Sequence, residues 1–197
     1  HDLMCKIGEV VVVGGVRRSA MISLSNLTDD RMRHAKDGEF WKLNSQRQLS
    51  NNSVCYTERP DEGAFKDEWR ALMKSNNGER GIFNRQASKA QAAKNGRRDV
   101  EHDFGTNPCS EIILRPYQFC NLTEVVIRAT DDLDSLANKV RLATILGTIQ
   151  STYTKFPYLR KIWQNNTEEE RLLGVSLTGI MDNPLMTSAN KGLSKTL

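Results

Sequence analysis

The residues best suited to chemistry in this sequence lie in one short stretch, TNPCSEIILRPYQFCNLTEV, residues 106–125. Cys109 and Cys120 stand eleven positions apart, with Glu111 two residues after the first. A thiol can serve as a small buried hydrophobe, a metal ligand or a redox group, and all three readings are open here. Asn107, Pro108, Cys109, Ser110 and Glu111 close a long polar loop and lead into an apolar run. Pro108 restrains the backbone before the cysteine. If the segment is extended, side chains alternate and Asn107, Cys109 and Glu111 project to the same side. A thiol that abstracts hydrogen, a carboxylate that moves a proton and an amide that orients a substrate would form a coherent set.

Other thiol chemistries find less support. Zinc asks for about four ligands, commonly in closely spaced pairs. The wide spacing of Cys109 and Cys120, the isolation of Cys5 and Cys55, and histidines only at positions 1, 34 and 102 offer no such pair, so no metal is expected. A Cys–His nucleophile would pair Cys109 with His102, seven residues earlier, but nearness in sequence does not establish nearness in space.

These residues need a scaffold, and the hydrophobic pattern supplies one. HDLMCKIGEV places Leu3, Met4 and Ile7 on one helical face. Two β-branched runs come next, residues 10–13 and 20–24, around a Gly-Gly-Val-Arg-Arg loop whose glycines allow unusual backbone angles and whose arginines make it basic. SNLTDDRMRHAK reads as a helix capped by Ser25 or Asn26, with Asp29 and Asp30 in its first turn. NNSVCYTERP carries a strand ended by Pro60, and the helix DEGAFKDEWRALMKS has Phe65, Trp69, Leu72 and Met73 spaced for one face. Residues 82–94 read as helix and 94–107 as a long polar loop. TEVVIRA is a strand, 132–156 a long helix capped by Asp131 or Asp132, NNTEEE an acidic turn, and residues 172–180 a further strand. Strands alternating with helices predict an α/β fold.

Composition bounds the function class. The chain has 197 residues, 38% hydrophobic and 26% charged, enough for a real core. A net charge of +4 suits phosphorylated small molecules but lacks the concentrated basic stripe of a nucleic-acid binder. The longest apolar run, residues 10–16, is far short of a membrane span, and four cysteines are too few for a disulfide scaffold, so a cytoplasmic setting is expected, with no membrane and no nucleic acid among its partners. The opening at His1, directly into a helical pattern, reads as a piece of something longer.

NPCSEI followed by Cys120 resembles the finger loop of the ribonucleotide reductase large chain. The compact spacing from Cys109 through Glu111 to Cys120 is similar to the adenosylcobalamin-dependent, class II branch. GEVVVVGGVRRSAMISL, LNSQRQLSNNSVCY, NGERGIFNR and LLGVSLTGIMDNPLM resemble the same family in the same order. The resemblance implies part of a ten-stranded α/β barrel over residues 1–186, with a specificity loop at 14–20 and a finger loop around 105–111, and a frayed tail at 187–197. It implies reduction of ribonucleotides to deoxyribonucleotides by thiyl-radical chemistry, the supply step for DNA replication.

Carried over residue by residue, the resemblance implies that Cys109 is the thiyl-radical residue removing the 3′ hydrogen of the ribose. Glu111 is implied as acid/base at the 3′ hydroxyl, Asn107 as a binder of the same region, and Cys120 as one of two cysteines supplying electrons as the 2′ hydroxyl leaves as water. Gly14, Gly15, Val16, Arg17, Arg18 and Ser19 fall in the loop between effector and substrate, which makes Arg17 and Arg18 candidates for reading a base or its phosphates. The implied cofactor is adenosylcobalamin, with a dithiol reductant such as thioredoxin. The implied partners are a ribonucleotide substrate, a nucleotide effector, a thioredoxin-like reductant and the missing parts of the barrel as a separate chain. A thiyl radical must be shielded, so the loop is expected inside a barrel. The redox partner of Cys120, the phosphate-binding segment and the C-terminal reducing cysteines are not visible in these 197 residues, and neither Cys5 nor Cys55 has the expected context. The isolated chain is therefore expected to be inactive. The alternative is a non-catalytic nucleotide or effector-binding module derived from the same family.

Overall fold

Three parallel strands organise the N-terminal half of the computed structural model, which describes residues 1–12 and 19–187. The chain divides into two compact units, His1–Pro116 and Tyr117–Leu197. In the first, helix α1 (Asp2–Val10) is followed by β1 (Met21–Ser25), α2 (Asp30–Arg33), α3 (Phe40–Leu43), a 3-10 turn (Ser45–Leu49) and β2 (Ser50–Tyr56). Then come α4 (Glu62–Ser75), β3 (Gly81–Asn84), α5 (Arg85–Ala93) and the short strands β4 (Gly105–Thr106) and β5 (Ile113–Leu114). β2 lies between β1 and β3, parallel to both.

Several local expectations change. Residues 10–12 do not begin a strand: Val10 belongs to α1, and the Val11 and Val12 amides donate back to Gly8 and Glu9, so helical turns satisfy them. The short helix α2 is capped by Asp29, whose carboxylate accepts from the Met32 amide, rather than by Ser25 or Asn26. Residues 82–84 are strand, and α5 starts after Asn84, whose side chain caps it by accepting from the Ala87 amide.

The largest difference concerns which face of α4 turns inward. Phe65, Trp69 and Met73 are substantially exposed, and the first two rings stack on each other at 6.2 Å between centroids. Glu68 and Ser75 are the buried positions instead. The helix is thus turned by about one residue step, roughly 100° at 3.6 residues per turn. An ion pair occupies the inward side: Arg80 Nε and Nη2 donate to the two Glu68 oxygens at 2.5 and 2.8 Å, and Arg33 Nε adds a bond at 3.1 Å. Arg80 and Glu68 are both almost completely buried, and a buried carboxylate is tolerated only when paired and hydrogen-bonded.

The second unit is built as a parallel pair joined by a long crossover. β6 (Asn121–Val126) runs beside β7 (Leu173–Thr178), in register from Asn121↔Leu173 to Val126↔Thr178. Between them lie α6 (Leu133–Ser151) and α7 (Lys161–Glu170), and α8 (Pro184–Thr187) comes after a short 3-10 turn. Asp132 caps α6 through a reciprocal box with Ser135. Val125, Ile127 and Leu136 form the core, with Val140, Ala143, Val175, Leu177 and Met186 packed against them. Gly179 is required at its position: φ is +78°, and a Cβ there would stand 2.4 Å from the Ile127 carbonyl oxygen. The acidic stretch NNTEEE is not a turn but the end of α7, where Asn166 donates to the Tyr117 carbonyl at 3.0 Å and Gln118 donates to the buried Glu170.

The α/β class therefore holds. Among the described residues the strands form a three-stranded and a two-stranded parallel sheet plus a two-stranded hairpin, and they do not close into a barrel. No helix of the described residues is long and apolar enough to cross a membrane. Residues 188–197, most of the segment read as a frayed tail, lie outside the described residues.

Candidate active site

β4 and β5 pair antiparallel, Gly105 opposite Leu114 and Thr106 opposite Ile113, and present residues 107–112 as the hairpin tip. The tip is a tight turn rather than an extended segment. The Ser110 amide donates to the Asn107 carbonyl at 2.9 Å, with Pro108 and Cys109 at its two central positions. Pro108 suits the first of these because its ring presets φ. Ser110 sits next in the left-handed region at φ 67°. The alternation that would set Asn107, Cys109 and Glu111 on one side of a strand therefore does not apply. The turn chemistry of Asn-Pro outweighs the strand tendency of the apolar residues after it.

Asn107 is structural as well as accessible. Its side-chain oxygen accepts from the Ile112 amide at 3.0 Å and from Thr106 Oγ1 at 3.3 Å, which closes the base of the loop and leaves its NH2 group as the end suited to a ligand. Cys109, Ser110 and Glu111 are exposed.

The sheet beneath holds the hairpin. Along β2, Asn51, Ser53 and Cys55 alternate with Ser50, Asn52, Val54 and Tyr56, so the two sets face opposite sides. Asn51 Nδ2 donates to the Pro108 carbonyl at 2.5 Å. Gly105 passes close enough to β1 that a Cβ on it would lie 3.7 Å from Leu24. Phe104 is fully buried, and its carbonyl accepts from Arg85 Nε at 2.8 Å. The opposite face of β2 serves the helices: the Lys36 ammonium donates to the Ser50 carbonyl, and Asn52 Oδ1 lies 3.0 Å from the His1 ring.

The other thiols and the histidine separate clearly. Burial raises the Cys5 and Cys55 thiols above their usual range; Asp2 adds to the effect at Cys5, and at Cys55 Arg85 partly opposes it. Both suit inert packing. His102 places its Nε2 3.1 Å from Arg115 Nη1 and packs edge-on against Phe104. Cys120 belongs to the second unit, half-buried just before Asn121, whose amide opens the β6 to β7 pairing by donating to the Leu172 carbonyl at 3.0 Å. Among the described residues no three His, Cys, Asp or Glu side chains gather as a metal site.

Of the basic loop, Gly14, Gly15, Val16, Arg17 and Arg18 lie outside the described residues. Ser19 is described, and with Met4, Cys5, Ile7 and Leu49 it lines a cavity of about 280 Å³. A second cavity, about 670 Å³, lies between Tyr56 and the start of α4, and a third, about 840 Å³, runs between β6 and the apolar side of α6. None of these three is lined by Asn107, Cys109 or Glu111.

Sequence reasoning missed Asn51. Its signal was available: an amide inside a strand that must be flanked on both edges needs a partner, and a polar SNNS run at the start of such a strand asks where those partners are.

No family model and no solved structure matches the chain. Curated proteins do. The chain is 33% identical over 185 residues to a protein of Lacticaseibacillus paracasei, covering 92% of this chain and 24% of that protein. It is 35% identical over 191 residues to one of Lactobacillus leichmannii, with the same coverage, and 33% identical over 206 residues to one of Lactobacillus gasseri, covering 96% and 25%. All three are named adenosylcobalamin-dependent ribonucleoside-triphosphate reductase. The hairpin that carries Asn107, Cys109 and Glu111 lies inside the matched length, and the chain is similar to these reductases over a span of about a quarter of their length.

Proposed function

We propose that this chain forms part of the catalytic barrel of a ribonucleoside-triphosphate reductase and carries its radical-bearing loop. The observation that supports this most directly is the placement of Asn107 and Cys109 in one tight turn, with Glu111 directly after it, at the tip of a hairpin seated on a parallel sheet. In this reading a sulfur radical on Cys109 takes the hydrogen from C3′, forming S–H and leaving the unpaired electron on the sugar carbon. Glu111 accepts the 3′ hydroxyl proton, and the Asn107 NH2 group holds the same hydroxyl region. The 2′ hydroxyl takes a proton from one of two further thiols and leaves as water. In all, that thiol pair supplies two electrons and two protons, one proton leaving in the water and the other hydrogen ending on C2′, and becomes a disulfide; Cys120 is one member, and a thioredoxin-like dithiol regenerates the pair. Cys109 returns its hydrogen to C3′.

The relatives' adenosylcobalamin supplies radical initiation when bound. Arg17 and Arg18 are assigned to effector or substrate phosphates on the strength of the resemblance and their charge.

Cys109→Ser and Cys120→Ser, each placed in a complete catalytic chain carrying this segment, are expected to abolish multiple-turnover deoxynucleotide formation; retained turnover in either overturns the assignment. The isolated polypeptide is expected to show no reduction, and turnover with adenosylcobalamin, a dithiol and a ribonucleotide contradicts that. The exposure of Cys109 favours a second reading, a nucleotide-binding module without catalysis, because a radical thiol needs shielding. Effector-dependent reduction upon adding the remainder of the barrel separates the two.

A further inference from the structure

We propose that Asn51 is a positioning residue that sets the orientation of Cys109 by locking the peptide bond joining it to Pro108. This deepens the reading above and rests on Cys109 being the reacting thiol.

In a tight turn the hydrogen bond joins the first and fourth residues, here the Asn107 carbonyl and the Ser110 amide. The peptide between the two central residues takes no part in that bond. Type I and type II turns differ chiefly by a flip of this central peptide, which carries the third residue from negative to positive φ. In this hairpin the central peptide is Pro108–Cys109, and Cys109 has no positive φ, unlike Ser110 beside it. Pro108 is compatible with both turn types, so the proline does not choose between them. The Ile112 amide bond to Asn107 braces the base of the loop and leaves the central peptide untouched.

Asn51 supplies the missing constraint. Its Nδ2 donates to the Pro108 carbonyl at 2.5 Å, on the one oxygen that a flip would swing away. The donor stands on β2, hydrogen-bonded on both edges through the Asn51 pairing with Ile22 and the β3 pairing that starts two residues on. The turn is therefore tied to the most constrained strand of its unit. A flip would redirect the Cα–Cβ bond of Cys109 and carry the sulfur away from its place. Misplacement of a reacting group by about 1 Å can cost on the order of a hundredfold in rate.

Two measurements test this. In the 197-residue chain, the Pro108 carbonyl carbon shift and the Cys109 amide are followed by NMR in wild type, Asn51→Leu, which has similar volume and no donor, and Asn51→Gln, which keeps a carboxamide. Amide exchange along β1, β2 and β3 verifies the fold in each. The expected result is one conformation in wild type, a shifted Pro108 carbonyl with exchange broadening at Cys109 in Asn51→Leu, and partial recovery in Asn51→Gln. An unchanged Pro108 carbonyl and Cys109 amide in folded Asn51→Leu overturns the proposal. In a complete reductase carrying the segment, Asn51→Leu is expected to lower kcat about tenfold to a hundredfold with KM unchanged, with Gln restoring part; an unchanged kcat, or equal losses in Leu and Gln, overturns it. If Cys109→Ser leaves reduction intact while the NMR result holds, the catalytic reading fails and the anchor stands.

Discussion

The two units hold their parallel sheets with a different balance of polar and apolar contacts. Residues 1–116 rely on directional polar pairing: Glu68 with Arg80 and Arg33, Lys36 with Glu79, Asp2 with Arg47, and Asn51 with the hairpin. Residues 117–187 rely on an aliphatic cluster around Leu136, and much of α6 keeps apolar residues such as Leu142, Leu146 and Ile149 exposed. Apolar packing is nondirectional and tolerates small shifts. A hydrogen-bonded network fixes orientation, and the unit that carries Asn107, Cys109 and Glu111 places a buried ion pair, Glu68 with Arg80, beside its sheet.

The sharpest way to break that contrast is Glu68→Ala. It leaves two guanidinium groups facing a buried gap, and removal of one partner of a buried pair typically costs about 3–5 kcal/mol. Amide exchange resolved by residue should show the loss across β1, β2 and β3 with β6 and β7 unaffected; equal loss in both units contradicts the division. Leu136→Ala is the mirror experiment. A buried leucine truncation costs about 2–5 kcal/mol depending on how far the site relaxes, and here the loss should fall on β6, β7 and α6.

Acid sharpens the contrast further. Burial pushes the Glu68 carboxyl up, but the hydrogen bonds and charges of Arg80 and Arg33 outweigh it and hold the group below the usual glutamate range. The folded form thus binds its proton less readily than the unfolded chain. Its contribution is complete above the ordinary glutamate value and is lost as pH falls toward the depressed one. Glu68→Gln should remove that acid-side step from a pH titration of unit stability, at a lower plateau; an unchanged acid limb rules out Glu68 as its source. The smallest expected effect is Asp132→Ala, which removes the α6 cap and should cost about 1 kcal/mol, read as faster exchange confined to the first turn of α6.

Much of the architecture was legible in the residues. The spans of β2, α4, β6, α6 and β7 lie close to those read from the residues, and the α/β class comes from their alternation. The illegible part depends on partners distant in sequence. The inward side of α4 holds Glu68, paired with Arg80 twelve residues on, and of the apolar stripe Phe65, Trp69, Leu72 and Met73 only Leu72 is half-buried. The acidic end of α7 read as a solvated turn because nothing local reveals that Gln118 comes to Glu170. At the site, the residue types in NPCSE were readable, but their geometry was not: a proline-containing turn replaced the assumed strand, and the donor that holds it comes from Asn51, fifty-seven residues before Pro108.

In the proposed function Cys109 begins the chemistry and Cys120 completes it. The most direct measurement supplies this chain with the remainder of a relative's barrel, adenosylcobalamin, a dithiol, an effector and a ribonucleoside triphosphate deuterated at C3′. Deoxynucleotide formation that slows with the deuterium and vanishes in both Cys109→Ser and Cys120→Ser is the predicted result. Deoxynucleotide formation that persists in Cys109→Ser would contradict it.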